Sequence, residues 1–333
     1  MMIRISKLLV VLGLVFYTSY TEAQPPEADH HIHIRSEEGT AAFTRILEKV
    51  KGRKGIELRP AVGAEYVTSL MDSAETRKAT LLSTAYFFGM PEINFKNERD
   101  LVRRENEFVA RQAAQNPDRL AAFCAVNPLR DYAPDEIRWC GNDGRFSGLK
   151  LHLANSDVDL RNKEHVARLA DVFESANKHG LAIVIHLWTR HPDYGAKDVE
   201  IFMNRILPHA PDVPVQVAHL GGPGQFSPLT NEVARAFASE IDDPEKRYDN
   251  LYFDLAAVPL NPENAGNQSE RRKIVKRNQM LADRIRDLGS DRVLWGTDWV
   301  AGPPAVYLSK LSPVPLPAEL WKTLHDNQAP YLR

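Results

Sequence analysis

The fold prediction starts from the stretch Ala28-Asp29-His30-His31-Ile32-His33-Ile34-Arg35. Its potential metal-binding side chains are two residues apart, which is the repeat of a β-strand. In an extended strand, Asp29, His31 and His33 share one face, since successive side chains alternate between the two faces. Histidine is the commonest metal ligand because its neutral ring nitrogen is available near neutral pH. The His-x-His pair therefore predicts two ligands of a metal site that distant segments must complete.

Eight apolar, β-branched segments recur along the chain and alternate with segments of helical, amphipathic spacing. This alternation predicts βα units around a parallel sheet, and eight such units in about 300 residues are typical of a (β/α)8 TIM barrel, an α/β fold. A doubly wound open sheet is the competing interpretation, but the glycine-rich loop usual after its first strand is missing from the sequence. The predicted strands are Asp29–Ile34, Ala79–Tyr86, Leu120–Val126, Gly148–Leu153, Ala182–Leu187, Val215–Leu220, Leu251–Ala256 and Arg292–Gly296.

The N-terminal residues follow the three-part pattern of a secretory signal. Arg4 and Lys7 precede an apolar run from Leu8 to Tyr17, and small side chains stand near Ala23. The run is shorter than the about 20 residues of a spanning helix, which favours cleavage over anchoring. We expect a signal peptide at 1–23, a single domain at 24–333, and an exported protein that is periplasmic or secreted.

Net charge and the distribution of apolar residues limit the kinds of partner that we expect. A formal net charge of −2 without a basic run argues against nucleic acid, and no later segment is apolar enough to cross a membrane. We expect a small-molecule substrate and leave a homo-oligomer open.

Cys124 lies in a strand-like run and Cys140 in a helix-like run, so two separate thiols are favoured over a bridge.

Polar residues stand at the carboxyl ends of several predicted strands, where a parallel barrel brings them to one mouth. Alternation places Val184 on the face of His186, and Val215 and Val217 on the face of His219, so apolar layers are expected below a polar rim. Long connections at 35–63 and 257–269 are predicted to be rim loops. The strand-end residues are His152, His186, His219 and Asp298, with Lys150 on the face of His152.

Taken together, the motifs resemble the amidohydrolase superfamily and, within it, the amidohydrolase-2 group of metal-dependent (β/α)8 enzymes. The family includes hydrolases of lactones and amides as well as non-oxidative decarboxylases. The matching motifs are Asp29-x-His31-x-His33, Gly148-Leu149-Lys150-Leu151-His152, His186, Val217-Ala218-His219-Leu220-Gly221-Gly222, Leu251-Tyr252-Phe253-Asp254 and Gly296-Thr297-Asp298-Trp299.

The resemblance implies His31, His33, His186 and Asp298 as ligands of one divalent ion, most often zinc. Three imidazoles and a carboxylate also suit the chemistry of zinc, with a position left for water. His219 is the candidate group that orients or deprotonates this water, and Asp298 is the other candidate.

Lys150 has two interpretations within the family. In some branches the equivalent lysine is carboxylated and bridges two metals, with His186 and His219 as further ligands; we favour a single ion. His152, Arg35, Arg59, Trp188 and Arg190 are candidate substrate contacts, and arginine binds carboxylates with two prongs. Asp29 and Asp254 are expected to contact the ligands rather than the metal.

The sequence therefore predicts an exported hydrolase that uses a metal-activated water to cleave a lactone, ester or amide of a small molecule. A lyase that removes carboxylate from an unsaturated or aromatic acid is the first alternative. A binding barrel without catalytic activity is the second.

Overall fold

The computed structural model describes residues 25–49, 52, 61–299 and 316–332. The predicted signal peptide and Arg59 lie outside these ranges. Eight parallel strands form one sheet in the sequential order β1 to β8. The strands are β1 Ala28–His33, β2 Lys78–Leu82, β3 Leu120–Ala125, β4 Phe146–His152, β5 Ala182–His186, β6 Val215–Val217, β7 Leu251–Asp254 and β8 Val293–Leu294.

Contacts between β1 and the segment that follows β8 bring the sheet round into a barrel. The backbone amide of His33 donates to Trp299 O at 2.8 Å, and that of His30 donates to Trp295 O at 3.0 Å. Sequential parallel strands with helices between them are the (β/α)8 architecture. The TIM-barrel prediction is therefore confirmed.

Helices follow most of the strands and begin where the sequence supplies caps. Asn162, Ser227 and Asn267 accept hydrogen bonds from the first free amides of the helices that begin at Lys163, Pro228 and Gln268. Gly144 ends the helix Ala133–Asp143 with φ 75°, a left-handed conformation that glycine tolerates. The helices are α1 Glu37–Lys49, α2 Ala64–Ser73, α3 Glu98–Ala113, α4 Ala133–Asp143, α5 Lys163–Lys178, α6 Ala196–Arg205, α7 Pro228–Ile241, α8 Gln268–Leu288 and α9 Ala318–Asp326.

The core has two parts, separated by the wall of the barrel. A large outer cluster packs the helices on the strands, and a small inner cluster fills the lumen. Phe123 and Val184 belong to the inner cluster, as do Tyr331 and Leu332 from the C-terminal end of the described chain. Apolar side chains thus fill much of the lower lumen, and ionisable groups gather at its upper end.

Strand six differs from its prediction. The strand ends at Val217 because His219 and Leu220 take left-handed backbone angles, with φ of 56° and 53°. Val215 and Val217 pack in the outer cluster, so the prediction that they share the lumen face with His219 was wrong. Gln216 points inward instead, where it reaches Asp254.

Two smaller predictions also need correction. The connection 35–63 is not simply a rim loop, since it contains the helix α1. Cys124 and Cys140 form a disulfide between β3 and α4, with Cα atoms 6.5 Å apart, whereas two separate thiols were predicted. The bridge joins cysteines 16 residues apart whose approach depends on where α4 lies in the folded chain, which local patterns do not encode. Among the described residues, no helix combines the length and apolarity needed to span a membrane.

Candidate metal centre and active site

Three side chains from the two ends of the barrel sheet converge at its mouth. The Nε2 atoms of His31 and His33 are 3.3 Å apart, and each lies 3.6 Å from Asp298 Oδ1. In a tetrahedral site with bonds of about 2.0–2.2 Å, neighbouring ligand atoms lie about 3.3–3.6 Å apart. The three donor atoms therefore have the spacing of one face of such a site.

His31 and His33 are kept in the neutral protonation state, which is the form of histidine that binds metals. Burial and the charge of Lys150 together lower the pKa of His31 to about 4, against the opposing effect of Asp254. Burial also lowers the pKa of His33 well below its ordinary value. Both rings are therefore neutral at pH 7, and a neutral imidazole offers the lone pair that a metal requires.

Asp254, at the end of β7, fixes the ring of His31 from behind. Its Oδ2 lies 2.9 Å from His31 Nδ1, and its Oδ1 accepts the backbone amides of His219 and Ala256 at 2.9 and 3.0 Å. Burial raises the pKa of Asp254, but the interactions with His31 and His219 outweigh that effect and the net shift is downward. With Nδ1 committed to this carboxylate, Nε2 of His31 is left to face the mouth.

Asp29 has a comparable role on the other side of the opening strand. Its Oδ1 accepts the backbone amides of His31 and Thr297 at 3.1 and 3.0 Å, and its Oδ2 accepts the Thr297 hydroxyl at 2.6 Å. These bonds tie β1 to the segment that carries Asp298. Gly296 permits this approach, because a Cβ there would stand 2.9 Å from the Cβ of His31.

Lys150 reaches the same cluster from β4. Its Nζ lies 3.3 Å from His31 Nε2, and the side chain is fully buried. Burial lowers the pKa of Lys150 to about 8, although Asp254 and Asp298 act in the opposite direction. The amine therefore has a substantial neutral fraction close to neutral pH, the form that could bind a metal or be carboxylated.

His219 lies beside His31 on the tight turn that ends β6. The two rings stack with centroids 5.1 Å apart, and His219 Nδ1 lies 2.5 Å from Ala256 O, which leaves Nε2 as the acceptor nitrogen. Left-handed backbone at a residue with a side chain costs energy, so the turn must be fixed by its surroundings. The left-handed turn presents His219 to the site although the strand has already ended.

His186 and His152 form the opposite wall of the mouth. Their rings stack at 4.0 Å, and Trp188 lies 6.2 Å from His186. His186 is not among the three residues whose donor atoms converge, but its ring is 4.9 Å from that of His219. Its buried Nε2 has no hydrogen-bond partner among the described residues, so the nitrogen is open to a ligand.

Arg35 is the unusual residue of the mouth. It follows His33 by two positions, is fully buried, and its Nε, Nη1 and Nη2 lack hydrogen-bond partners in the part of the chain described. The guanidinium lies over the ring of Phe43, with Cζ 4.9 Å from the centroid. Burial lowers the pKa of Arg35 to about 10, against the opposing charge of Glu105, so the side chain is still cationic at pH 7.

The other candidate substrate contacts are placed differently. Arg190 forms an ion pair with Glu92. The two side chains are 37% and 34% exposed, so the pair lies at the surface. Arg59 lies outside the described residues. Of the candidate arginines in the described ranges, only Arg35 is buried beside the histidines.

Sequence analysis missed two residues below the site. Gln216 Nε2 donates to Asp254 Oδ2 at 2.6 Å, and the Tyr331 hydroxyl donates to Gln216 Oε1. Gln216 was detectable as a polar residue between two valines in an apolar strand. Tyr331 gave no comparable signal, because its position depends on where the end of the chain folds back.

The residues at the mouth fit a divalent ion. The convergence of two neutral imidazoles and a carboxylate, with a further unpartnered imidazole nitrogen on His186, is the donor set that zinc and similar ions prefer. His31, His219 and Asp254 form a second group of close donor atoms, but Asp254 is already occupied by hydrogen bonds.

Comparisons with known proteins agree with this architecture. Three similar structures are 2,6-dihydroxybenzoate decarboxylase from Rhizobium (17% identity, 90% of this chain and 96% of that chain, TM-score 0.56), 5-carboxyvanillate decarboxylase from Sphingomonas paucimobilis (17%, 91% and 97%, 0.59) and the manganese complex of 5-carboxyvanillate decarboxylase from Novosphingobium aromaticivorans (14%, 92% and 95%, 0.58). At these identities the likeness establishes the fold alone. No curated protein matches the sequence significantly.

A family model described as amidohydrolase, of the amidohydrolase-2 type, matches residues 88–327. The match covers most of the chain and includes Lys150, His186, His219 and Asp298, while His31 and His33 precede it. The fold, shared with decarboxylases and an amidohydrolase, is the one this family uses. The chain therefore belongs to the amidohydrolase family, in its amidohydrolase-2 group.

Proposed function

We propose that this protein is a metal-dependent decarboxylase of a small unsaturated or aromatic acid. The observation that carries the proposal is Arg35, a buried cation without a hydrogen-bond partner among the described residues, placed beside the histidine cluster. A hydrolase was the leading prediction from sequence. The combination of this cation with decarboxylases among the similar structures supports the lyase alternative better.

The burial of Arg35 has an energetic cost. Without hydrogen-bond acceptors, its guanidinium loses hydration that the Phe43 ring and the charge of Glu105 replace only in part, which costs several kcal/mol. Glu105 is the nearby carboxylate, but it is occupied by the amide and hydroxyl of Ser36 and by the hydroxyl of Thr84. A substrate carboxylate would supply the missing acceptors through two parallel hydrogen bonds. We infer that an acidic ligand completes the environment of Arg35.

The location of Arg35 relative to the three converging donor atoms of His31, His33 and Asp298, here called the donor triangle, supports the same conclusion. Burial raises the pKa of Tyr86, the charge of Asp298 raises it further, and the charge of Arg35 opposes both effects. Tyr86 therefore lies within electrostatic range of both groups, and its ring is 5.2 Å from that of His152. A flat acid that bridges Arg35 and Asp298 would lie along Tyr86 and His152.

For the centre itself, we propose His31, His33, His186 and Asp298 as ligands of one divalent ion. When bound, the ion supplies positive charge that holds substrate oxygens and stabilises electrons released in the reaction. Zinc was the prediction from ligand chemistry, and the manganese in a similar decarboxylase makes manganese an equal candidate.

The chain's own residues then perform the proton transfer. Arg35 and Lys150 orient the carboxylate, and the carbon–carbon bond to it breaks so that carbon dioxide leaves while the electron pair stays on the substrate carbon. Asp298, whose side chain is 26% exposed, first takes a proton from solvent and then passes it to that carbon, which returns Asp298 to the carboxylate form. His219 Nε2 accepts a hydrogen bond from a substrate hydroxyl next to that carbon.

We further propose that the protein works outside the cytoplasm. The signal-like N-terminus and the Cys124–Cys140 disulfide support this location, because disulfides persist in oxidising compartments. Detection of the mature protein in a periplasmic or culture fraction, with an N-terminus near residue 24, tests the proposal.

The reaction can be tested directly on metal-loaded protein. Zn²⁺- and Mn²⁺-loaded samples are incubated with hydroxybenzoates, unsaturated diacids, aryl esters and lactones in D₂O, while carbon dioxide release is monitored. We expect release of carbon dioxide from an acid, with one deuterium at the carbon that carried the carboxylate. Asp298→Asn should lose this exchange.

Hydrolysis gives a different result with the same samples. If water oxygen from H₂¹⁸O enters the product of an ester or lactone and no acid releases carbon dioxide, the decarboxylase proposal is wrong and the hydrolase prediction is correct. If neither metal binds the purified protein, both catalytic proposals fail.

A further inference from the structure

A continuous series of hydrogen bonds runs down the lumen from the metal centre to the C-terminal end of the described chain. Tyr331 donates to Gln216 Oε1, Gln216 Nε2 donates to Asp254 Oδ2 at 2.6 Å, and the same Oδ2 lies 2.9 Å from His31 Nδ1. We propose that Gln216 and Tyr331 are positioning residues of the metal centre. This inference rests on the proposed function of that centre.

Residues 329–332, here called the C-terminal plug, are firmly seated beneath the site. Leu332 and Tyr331 pack in the inner apolar cluster, and the Tyr331 ring meets Phe123 edge-on at 4.9 Å. The backbone amide of Ala329 donates to His30 Nε2 at 3.2 Å. The plug is therefore anchored on β1, the strand that carries His31, and on β3.

The chemistry of the groups fixes the direction of each hydrogen bond. Asp254 Oδ2 faces two nitrogen atoms, Gln216 Nε2 at 2.6 Å and His31 Nδ1 at 2.9 Å, so the carboxylate is the acceptor of both hydrogen bonds. Gln216 must then present its amide nitrogen to Asp254 and its oxygen to Tyr331. Burial raises the pKa of Tyr331 well above its ordinary value, so the hydroxyl keeps the proton that it donates.

Without Tyr331, the amide of Gln216 would lose the donor to its oxygen and keep only the acceptors of its nitrogen, Asp254 Oδ2 and His30 O, to hold its orientation. A flipped amide would place its oxygen against the Asp254 carboxylate, an unfavourable contact in a dry lumen. Asp254 would shift, and with it the ring of His31, whose Nε2 must stay aligned with His33 and Asp298. The plug thus acts on metal affinity through two intermediate residues.

Metal affinity of the full-length chain tests the proposal. Zn²⁺ affinity is measured by competition with a chelating dye for Tyr331→Phe, Gln216→Met and the double variant, alongside the absorption spectrum of the Co²⁺ form. Removing groups that orient ligands usually weakens metal binding about 10–100-fold. We expect about 10-fold weaker binding for Gln216→Met, about 5-fold for Tyr331→Phe, and altered Co²⁺ bands in both.

The double variant distinguishes a series from two independent effects. If Tyr331 acts only through Gln216, the double variant binds Zn²⁺ no more weakly than Gln216→Met alone. Losses that multiply would overturn the series. Tyr132→Phe is the matched control, since it removes a tyrosine hydroxyl bonded to Glu98 on the outer layer and should leave Zn²⁺ affinity unchanged.

A purely structural role for the plug predicts another pattern. In that case Tyr331→Phe lowers the melting temperature of the metal-free protein while Zn²⁺ affinity stays within twofold of the parent, and the inference is overturned. If the parent chain itself binds no Zn²⁺, the proposed metal centre fails as well. Retained Zn²⁺ binding with unaffected variants refutes the positioning role alone.

Discussion

The mouth of the barrel and the floor beneath it are both polar and both buried, but they differ in how their polar atoms are satisfied. On the floor, the five oxygen and nitrogen atoms that link Tyr331, Gln216, Asp254 and His31 are paired with one another. At the mouth, Arg35 and His186 Nε2 have no hydrogen-bond partner among the described residues.

This difference separates support from binding. Buried polar groups are normally paired, because an unpaired group forfeits its hydration. Paired groups on the floor hold one geometry and need nothing more. Unpaired groups at the mouth are stable only when something else completes them, which is what a metal and an acidic substrate would do. The comparison assigns the floor to positioning and the mouth to ligands.

The largest expected effect is at the donor triangle of the mouth. His33→Ala removes one of the three converging donor atoms and opens the site to water. We expect loss of stoichiometric Zn²⁺ by elemental analysis and a fall in kcat/KM of at least about 1,000-fold. His209→Ala, which alters an exposed histidine, is the control and should change neither quantity. Full metal content in His33→Ala would contradict the ligand assignment.

Arg35→Met is expected to weaken substrate binding and to increase the stability of the unliganded protein. Loss of the buried cation should raise KM for an acidic substrate about 100-fold, since truncating a buried charged contact costs about 2–5 kcal/mol. The unliganded protein should become more stable by about 1 kcal/mol or more, because an unpaired buried charge is replaced by an apolar chain. Steady-state kinetics and urea unfolding measure the two effects.

The control for Arg35→Met is an arginine that is already satisfied. Arg103 pairs with Glu136 at 2.8 Å and stacks on Trp139, so Arg103→Met should lower stability and leave KM unchanged. If Arg35→Met instead destabilises the protein and leaves KM unchanged, Arg35 is a structural cation and the proposed acidic substrate loses its main support.

The smallest effect is expected at Arg190. Its ion pair with Glu92 is partly exposed, and such pairs contribute about 0–1 kcal/mol. Arg190→Ala should therefore change KM by less than about twofold and barely alter the unfolding midpoint. A large rise in KM would place Arg190 among the ligands of the mouth and extend that region beyond Arg35.

Sequence reasoning was most successful where local pattern and function coincide. Eight apolar segments predicted the barrel, and the strand-end positions of His31, His33 and Asp298 predicted residues that the structure brings together. It failed at β6, where alternation cannot apply because the strand ends at Val217 and a left-handed turn presents His219. It also failed for Cys124 and Cys140, whose pairing depends on how α4 packs against β3.

By itself, the sequence determined the type of barrel, its family and most of the polar residues around the mouth. These properties follow from periodicity and from short motifs, which a chain carries locally. It is the closed barrel that buries Arg35 with no hydrogen-bond partner among the described residues, and that links Tyr331 to His31 through Gln216 and Asp254. Desolvation and hydrogen-bond pairing depend on which distant segments meet, and that information exists only once the barrel has closed.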